Sequence, residues 1–206
     1  FSNVAGQWGA LWLTNGSTNN LINHLTVKNA TIGLLIQNND GTTVQLKNTQ
    51  IYNSSNYGIL AQTGKIVGEN IVINNAGVAS LACLYGGDYH FTHSTFNNNW
   101  NSSSQVAVLV SNFITGAVPE SKDLTQATFN NCIIYGSYSN EMLLDKKSGA
   151  AFNYQFNHCL LKFNNSSNLF TNDPLYKFET DATHYSGIIL NKDPKFFKVN
   201  QNQLNI

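Results

Sequence analysis

Arginine is absent from this 206-residue chain, and charged residues of any kind are scarce, at 11% of the total. Eleven lysines balance eleven acidic residues, so the formal net charge at neutral pH is zero. A nucleic-acid-binding protein presents a basic surface, and a protein held on anionic lipid needs a basic cluster. The sequence therefore predicts that neither nucleic acid nor an anionic membrane surface is a partner.

Long apolar runs and an even set of cysteines are also missing. No run approaches the roughly 18 residues of a membrane-spanning helix, so no transmembrane segment is predicted in this chain. Cys83, Cys132 and Cys159 show no Cys-x-x-Cys spacing, and we interpret them as small, free core residues. The first residue is Phe and no signal peptide is present, so we expect a piece of a longer polypeptide.

Asparagine is abundant instead, with 32 residues, while hydrophobic residues still make up 42% of the chain. A short motif recurs in which Asn or His precedes a run of apolar-rich strand residues. Its six copies begin at His24, Asn48, Asn70, His93, Asn131 and His158. The first four copies lie 24, 22 and 23 residues apart, and the later gaps of 38 and 27 residues contain insertions.

Two further strand candidates accompany each copy of the motif, for example Val44–Leu46 upstream and Leu34–Ile36 downstream. Three short strands in 22 to 24 residues are typical of a parallel β-helix, whose coils stack about 4.8 Å apart. The sequence predicts an all-β fold, a right-handed parallel β-helix with three sheets and about six coils over residues 1–163. We expect residues 164–206 to form an irregular segment that packs on this solenoid.

Asparagines at one register predict a ladder at a corner of the coils. Asn29, Asn53, Asn75 and Asn98 each follow a copy of the motif, and stacked amides can bond along the rod. Asn also tolerates the left-handed backbone of a tight corner. We interpret the column of His and Asn that opens the six copies in the same way, as a corner and not as a catalytic row.

Three interruptions of the repeat are candidates for functional loops, near 97–105, 111–126 and 136–151. Function on repeat proteins is often carried by such loops. We expect all three to project from one flank of the rod.

Several stretches of this sequence resemble a group of right-handed parallel β-helix surface proteins from Bacteroidota. The likeness is carried by residues 7–17, residues 48–56, the run 131–136 and the turn 172–175. The resemblance implies lipoproteins exported to the outer membrane and held by a lipidated N-terminal Cys, which this chain does not contain. We therefore expect a cell-surface or extracellular location. The resemblance implies no established reaction.

An enzymatic role is the less favoured hypothesis. Some right-handed β-helices are polysaccharide lyases or glycoside hydrolases, which need an acidic cation site with a base, or a positioned pair of carboxylates. The acidic residues here are scattered. Asp88 and His90 are the catalytic candidates, because residues two apart on a strand share a face. No metal site and no cofactor are predicted.

A non-catalytic binding role is favoured, either as an adhesion protein for a glycan or protein, or as an accessory subunit of an outer-membrane complex. Trp8, Trp12 and Trp100 are the binding candidates, since exposed aromatic rings offer stacking platforms. If Leu11 and Leu13 fill the bore, Trp8 and Trp12 point outward. These two rings then face either a ligand or a preceding segment of the chain.

Overall fold

A computed structural model describes residues 3–37, 39, 41–102, 104–116, 120–165 and 167–205. The chain is an all-β parallel solenoid of about seven turns. Its strands pair in parallel from one coil to the next, as the repeat predicts. No helix in these ranges is both long and apolar enough to span a bilayer.

Six parallel strands form one face of the solenoid, which we call the lateral sheet. In order along the rod they are β1 (Trp8–Leu13), β4 (Ala30–Gln37), β6 (Tyr57–Gln62), β8 (Ala79–Leu84), β11 (Val106–Ser111) and β16 (Met142–Asp145). The strand β1 precedes the first copy of the repeat and pairs with β4, as a strand of an earlier coil would.

The other two faces are the two limbs of one twelve-stranded sheet. Two long strands, β5 (Thr43–Ser54) and β7 (Lys65–Ala76), run through both limbs and bend between them. The first limb also contains β2 (Leu21–Asn23), β9 (Gly87–Thr92), β14 (Leu124–Asn130), β17 (Phe152–Asn157) and β19 (Tyr185–Ser186). The second limb also contains β3 (Thr26–Lys28), β10 (Thr95–Asn98), β15 (Ile133–Gly136), β18 (Leu160–Leu161) and β20 (Ile189–Leu190).

The sharp bend between the limbs falls on the column of His and Asn that opens each copy. All six residues have a left-handed backbone, with φ between 48° and 56°. The amide of Asn70 donates to Asn48 Oδ1 at 2.8 Å, and Asn48 donates to Asn23 Oδ1 at 2.9 Å. A single left-handed residue turns the chain here, which confirms the corner interpretation.

The asparagine ladder occupies the next corner, between the second limb and the lateral sheet. Asn75 donates to Asn53 Oδ1 at 2.8 Å, and Asn53 donates to Asn29 Oδ1 at 3.4 Å. All three have positive φ. Asn98 was predicted to continue the ladder, but it does not. Its side chain forms hydrogen bonds with the main chain of Ala76 and Val106 instead.

The bore changes from aliphatic to aromatic along the rod. Phe91, Phe129, Phe156 and Tyr185 stack coil upon coil inside the first limb, with ring centroids 5.5, 4.8 and 5.7 Å apart. Gly68 makes room for the first ring, because a Cβ there would lie 2.5 Å from Phe91 Cδ1. On the second limb, the free thiols of Cys132 and Cys159 are buried, as interpreted from the sequence.

The C-terminal segment contributes to the stack as well as flanking it. Strands β19 and β20 pair in parallel with β17 and β18, so the rod has about seven turns where six were expected. The segment also holds two single-turn 3₁₀ helices, Pro174–Tyr176 and Val199–Gln201. Near its end it crosses the outside of the second limb, where Asn74 donates to Val199 O at 3.2 Å and to Asn202 Oδ1 at 2.8 Å.

The insertions leave the solenoid at two different corners and not from one flank. The first, near 97–105, lies between β10 and β11, where the second limb meets the lateral sheet. The second, near 111–126, lies between the lateral sheet and the first limb and contains an antiparallel hairpin, β12 (Phe113–Ile114) and β13 (Glu120–Ser121). Its residues 117–119 are outside the described ranges. The third, near 136–151, includes the strand β16, so one part of it lies at the first of these corners and the other part at the second.

Candidate functional site

Two adjacent outward columns of the lateral sheet are apolar, and contiguous apolar surface of this kind is uncommon on the outside of monomeric proteins. Its central column consists of Trp12, Leu35, Leu60, Ala82, Leu109 and Leu143, one per strand and aligned by strand pairing. A second outward column consists of Ile32, Tyr57, Ala79 and Val106. We call these two columns the apolar strip. Six strands about 4.8 Å apart give it a length of roughly 24 Å.

The side chains of the apolar strip pack on one another as a cluster separate from the bore. Leu60, Ala79 and Ala82 are buried, although they lie on the outer side of the sheet. Larger neighbours such as Leu35 and Leu109 shield them and remain partly exposed themselves. None of the ten side chains carries a charge or an amide. Water therefore meets an apolar surface along this side of the rod, which is aliphatic except for the rings of Trp12 and Tyr57.

Trp8 and Trp12 are exposed on the first strand of the lateral sheet, where Leu13 packs against the core as expected. Leu11 does not, because it is 39% exposed, and the register shifts between Ala10 and Leu11. Trp12 is the most exposed tryptophan, at 57%, and stands at the end of the central column. Trp8 is 39% exposed, and its indole Nε1 donates to Lys28 O at 2.9 Å. The strip thus begins on an exposed aromatic ring.

A groove of about 430 Å³ separates one edge of the apolar strip from the β12–β13 hairpin. Its apolar lining comes from Leu84 and Leu109 of the sheet and from Phe113 and Ile114 of the hairpin. The rest of its lining is polar and consists of Gln62, Ser111, Thr115 and Asp145. Tyr85 anchors the hairpin, because its hydroxyl donates to the carboxylate of Glu120. The hairpin therefore adds two apolar side chains beside the strip, in a groove whose lining is half polar.

Trp100 lies at the opposite edge of the lateral sheet, in the first insertion. A Cβ placed on Gly77 would lie 3.5 Å from its ring, and Gly77 is two residues ahead of Ala79 of the strip. The carbonyl of Trp100 accepts from Ser137 Oγ at 3.4 Å. The ring is half-buried at this corner. The structure thus places the three tryptophans around the lateral sheet, and it brings none of them to Asp88.

Asp88 and His90 lie together on the outer face of the first limb. Asp88 Oδ1 is 2.9 Å from His90 Nε2, and both side chains are partly exposed. Tyr89 between them points inward and donates to Gly86 O. His93 belongs to the limb corner, where its ring is 3.4 Å from the amide of Asn131. In the described ranges no three His, Cys, Asp or Glu residues are grouped closely enough to hold a metal ion.

A polar cleft of about 500 Å³ lies near the C-terminal end of the rod, and sequence reasoning did not find it. Asp145, Lys146, Asp173, Asp181 and His184 contribute the polar part of its lining. These residues come from β16, from the turn ahead of a 3₁₀ helix and from the turn ahead of β19. Their separation in sequence explains why no motif reveals the cleft.

An aspartate–histidine pair is the chemically distinctive feature of this polar cleft. Asp181 Oδ2 is 2.6 Å from His184 Nδ1, and the imidazole stacks on Tyr154 with centroids 4.2 Å apart. Desolvation works against ionisation of Asp181, but the hydrogen bond with His184 keeps the pKa of its carboxyl below the ordinary value. Burial raises the pKa of Tyr154 to about 12, so its phenol stays neutral. Such a pair can orient an imidazole for proton transfer.

Comparisons with protein-family models, curated proteins and solved structures produced no match to this chain.

Proposed function

We propose that this chain is a non-catalytic binding protein of the cell surface, and that the apolar strip is its docking surface. The observation that carries the proposal is the two uncharged, mostly apolar columns of the apolar strip on the outer face of the lateral sheet. Patches of this kind on soluble proteins mark interaction sites, because exposed apolar area is unfavourable unless something covers it.

The chemistry of the apolar strip favours a protein over a glycan as the ligand. Partly exposed aliphatic side chains such as Leu35, Leu109 and Leu143 bury well against another apolar surface. Sugar rings stack instead on aromatic faces and require hydrogen-bond donors and acceptors beside them. The strip offers only two aromatic rings, Trp12 at one end and the partly exposed Tyr57, and the Gln37–Gln62 amide pair lies beside the strip in the next outward column. An adhesion role or a place in an outer-membrane assembly follows from this preference.

The proposed location rests on the resemblance to Bacteroidota surface β-helices. By that resemblance the chain lies outside the cell, attached to the outer membrane through a lipidated segment on its N-terminal side. An arginine-free and asparagine-rich composition is compatible with that location. Membrane fractionation of the native organism, with protease shaving of intact cells, tests it directly.

Capture from detergent-solubilised outer membranes tests the docking surface. Wild type, Leu109→Lys and Val67→Lys are used as baits at equal concentration. Leu109 lies in the strip, whereas Val67 is an exposed apolar residue on the outer face of the first limb and serves as the matched control. We expect one stoichiometric partner with wild type and Val67→Lys, and at least a tenfold weaker signal with Leu109→Lys. Equal capture by all three baits would rule out the strip.

A glycan array tests whether the ligand is a glycan. If wild type binds a glycan and Trp12→Ala does not, the binding site is the aromatic end of the strip and not its aliphatic side chains. Trp8→Ala and Trp100→Ala show whether neighbouring rings share it. Concentration-dependent self-association that Leu109→Lys abolishes would identify a second copy as the partner.

The polar cleft supports a second candidate function, cleavage of an extracellular glycan. The specific observation is that His184 is oriented by Asp181 in a cleft that also holds Asp145 and Asp173. In that case His184 acts as the base and a carboxyl as the acid. Release of new reducing ends from polysaccharides by wild type, but not by His184→Ala, would establish it. The same assay with Asp88→Asn and His90→Ala tests the pair on the first limb.

A further inference from the structure

Glu141 and Gln105 meet at the corner between the second limb and the lateral sheet, immediately before the strands β16 and β11. Both are almost fully buried, Glu141 at 0% exposure and Gln105 at 2%. The amide Nε2 of Gln105 donates to Glu141 Oε1 at 3.3 Å. The two side chains therefore already share one hydrogen bond.

Each of the two side chains has one further oxygen that lacks a hydrogen-bond donor. Glu141 Oε2 and Gln105 Oε1 are both buried, and neither receives a hydrogen bond. Two acceptors cannot bond each other, and a buried acceptor without a donor is unfavourable. A single proton on the carboxyl provides the missing donor, since a protonated Glu has one O–H group. Acid and amide then form a ring of two hydrogen bonds.

The surroundings of Glu141 supply too little positive charge to keep its carboxylate ionised. Oε1 also accepts from Tyr138 N at 2.7 Å. The one charged group whose field reaches it among the described residues is Lys162, at the end of β18, and that ammonium donates to Gly136 O at 2.6 Å. Burial raises the pKa of Glu141 to about 8, against the smaller opposing effects of these hydrogen bonds and of Lys162.

We infer that Glu141 carries a proton on Oε2 and donates it to Gln105 Oε1, so that an acid–amide pair fastens the corner beside the apolar strip. When this proton is lost, Glu141 Oε2 and Gln105 Oε1 are both buried acceptors without a donor, and the hydrogen-bonded ring opens. The Trp100 insertion shares this corner, because Gln105 Nε2 and Trp100 O both contact Ser137 Oγ. This corner is thus stabilised by a pH-sensitive hydrogen-bonded pair, and that inference does not depend on the proposed docking role.

The direction of the pH effect follows from the folded and unfolded pKa values. The stabilising contribution is fully present below the unfolded value of about 4.5 and is lost as pH rises toward the folded value of about 8. Thermal unfolding from pH 5 to pH 9.5 measures it in wild type, Glu141→Gln and Glu69→Gln. Glu141→Gln preserves both hydrogen bonds of the ring without a titrating group, and Glu69 is an exposed control.

We expect wild type and Glu69→Gln to lose roughly 5 to 10 °C in Tm, relative to Glu141→Gln, as pH rises through this range. Parallel curves for all three proteins would overturn the inference. A titration of wild type labelled with ¹³C at the Glu side-chain carboxyls needs no variant. Among the signals of the four glutamates, that of Glu141 should show a titration midpoint near pH 8. A spectrum with no carboxyl midpoint near pH 8, or a Tm that rises with added Na⁺, K⁺ or Ca²⁺ in wild type but not in Glu141→Gln, would show that Glu141 Oε2 carries no proton.

Discussion

The outer faces of the first limb and of the lateral sheet differ sharply, although both belong to the same coils. On the first limb, the middle outward column reads Gln45, Val67, His90, Thr128 and Gln155. On the lateral sheet, the equivalent column reads Leu35, Leu60, Ala82, Leu109 and Leu143. The inner sides of both are uniformly apolar. The fold therefore requires apolar residues only inside, and the outer residues reflect what each face meets.

The outer face of the second limb is covered by another part of the same chain. Its own C-terminal segment crosses that face, with Asn74 bonded to Val199 and Asn202. Tyr52 on the same face is buried as a result, and the cavity beside it is lined by residues 201–205. No described segment of the chain crosses the lateral sheet in this way. This contrast is the reason for assigning a partner to the apolar strip.

The largest effect is expected inside the first limb. Phe129→Ala removes the middle of a stack of four aromatic rings, and we expect it to lower the free energy of unfolding by about 3–5 kcal/mol. The outward Gln155→Ala on the neighbouring strand should change it by less than about 0.5 kcal/mol. Urea unfolding measures both. Similar losses would mean that inner and outer positions of this limb do not differ as the structure indicates.

The corner ladder should have the next largest effect. Asn53→Ala removes both ladder hydrogen bonds and places Ala at φ 57°, so we expect a loss of about 2–3 kcal/mol. Asn53→Gly removes the same hydrogen bonds, but glycine adopts the left-handed backbone without strain. We therefore expect this variant to lower the free energy of unfolding by only about 1 kcal/mol. Urea titrations of the two variants separate backbone from side chain. If they were equally stable, the left-handed backbone would not be what selects Asn.

Substitution on the two contrasted outer faces should affect stability little. Leu109→Lys and Val67→Lys should each lower the free energy of unfolding by less than about 1.5 kcal/mol, because both side chains are partly exposed and lysine can reach solvent. Only Leu109→Lys should change partner binding. A loss above about 3 kcal/mol for Leu109→Lys would show that the strip serves the fold, as a second core, and the two faces would then differ in stability and not in binding.

The smallest effect is expected at the ion pair on the first limb. Lys47 Nζ lies 3.0 Å from Glu69 Oε2, and both side chains are about half exposed. Glu69→Gln should change the free energy of unfolding by less than about 0.5 kcal/mol, and less still at high salt. Unfolding at low and high ionic strength checks this. A larger, salt-dependent change would mean that charge on this face contributes to the fold.

Much of the fold could be predicted because the repeat has a physical period. Inward residues such as Val44, Ile66 and Tyr89 align in the structure at the register that their spacing in the sequence indicates. The corner residues were equally predictable, since Asn and His are among the side chains that accept a left-handed backbone. The number of coils was not, because β19 and β20 are only two residues long and their segment has no recognisable motif.

The apolar strip does leave a signal in the sequence, although an ambiguous one. Each downstream strand contains three consecutive apolar residues, for example Leu34–Ile36, Leu81–Cys83 and Val108–Val110. On a strand with period 2, the middle residue of such a run must face away from the core. A run of this kind is also typical of a strand buried on both faces, so its meaning depends on what lies outside it.

The sequence by itself determined the periodic interior and the corners of this protein. Both follow from local rules, since strand alternation and backbone preference act on residues that are close along the chain. Only the tertiary structure decided which residues distant in sequence meet. Asp145 and His184 line one cleft, Glu141 lies against Gln105, and the tail lies over Asn74 because stacking seven coils fixes those positions in space. Contacts of this kind depend on the packing of the whole rod, which no local pattern specifies.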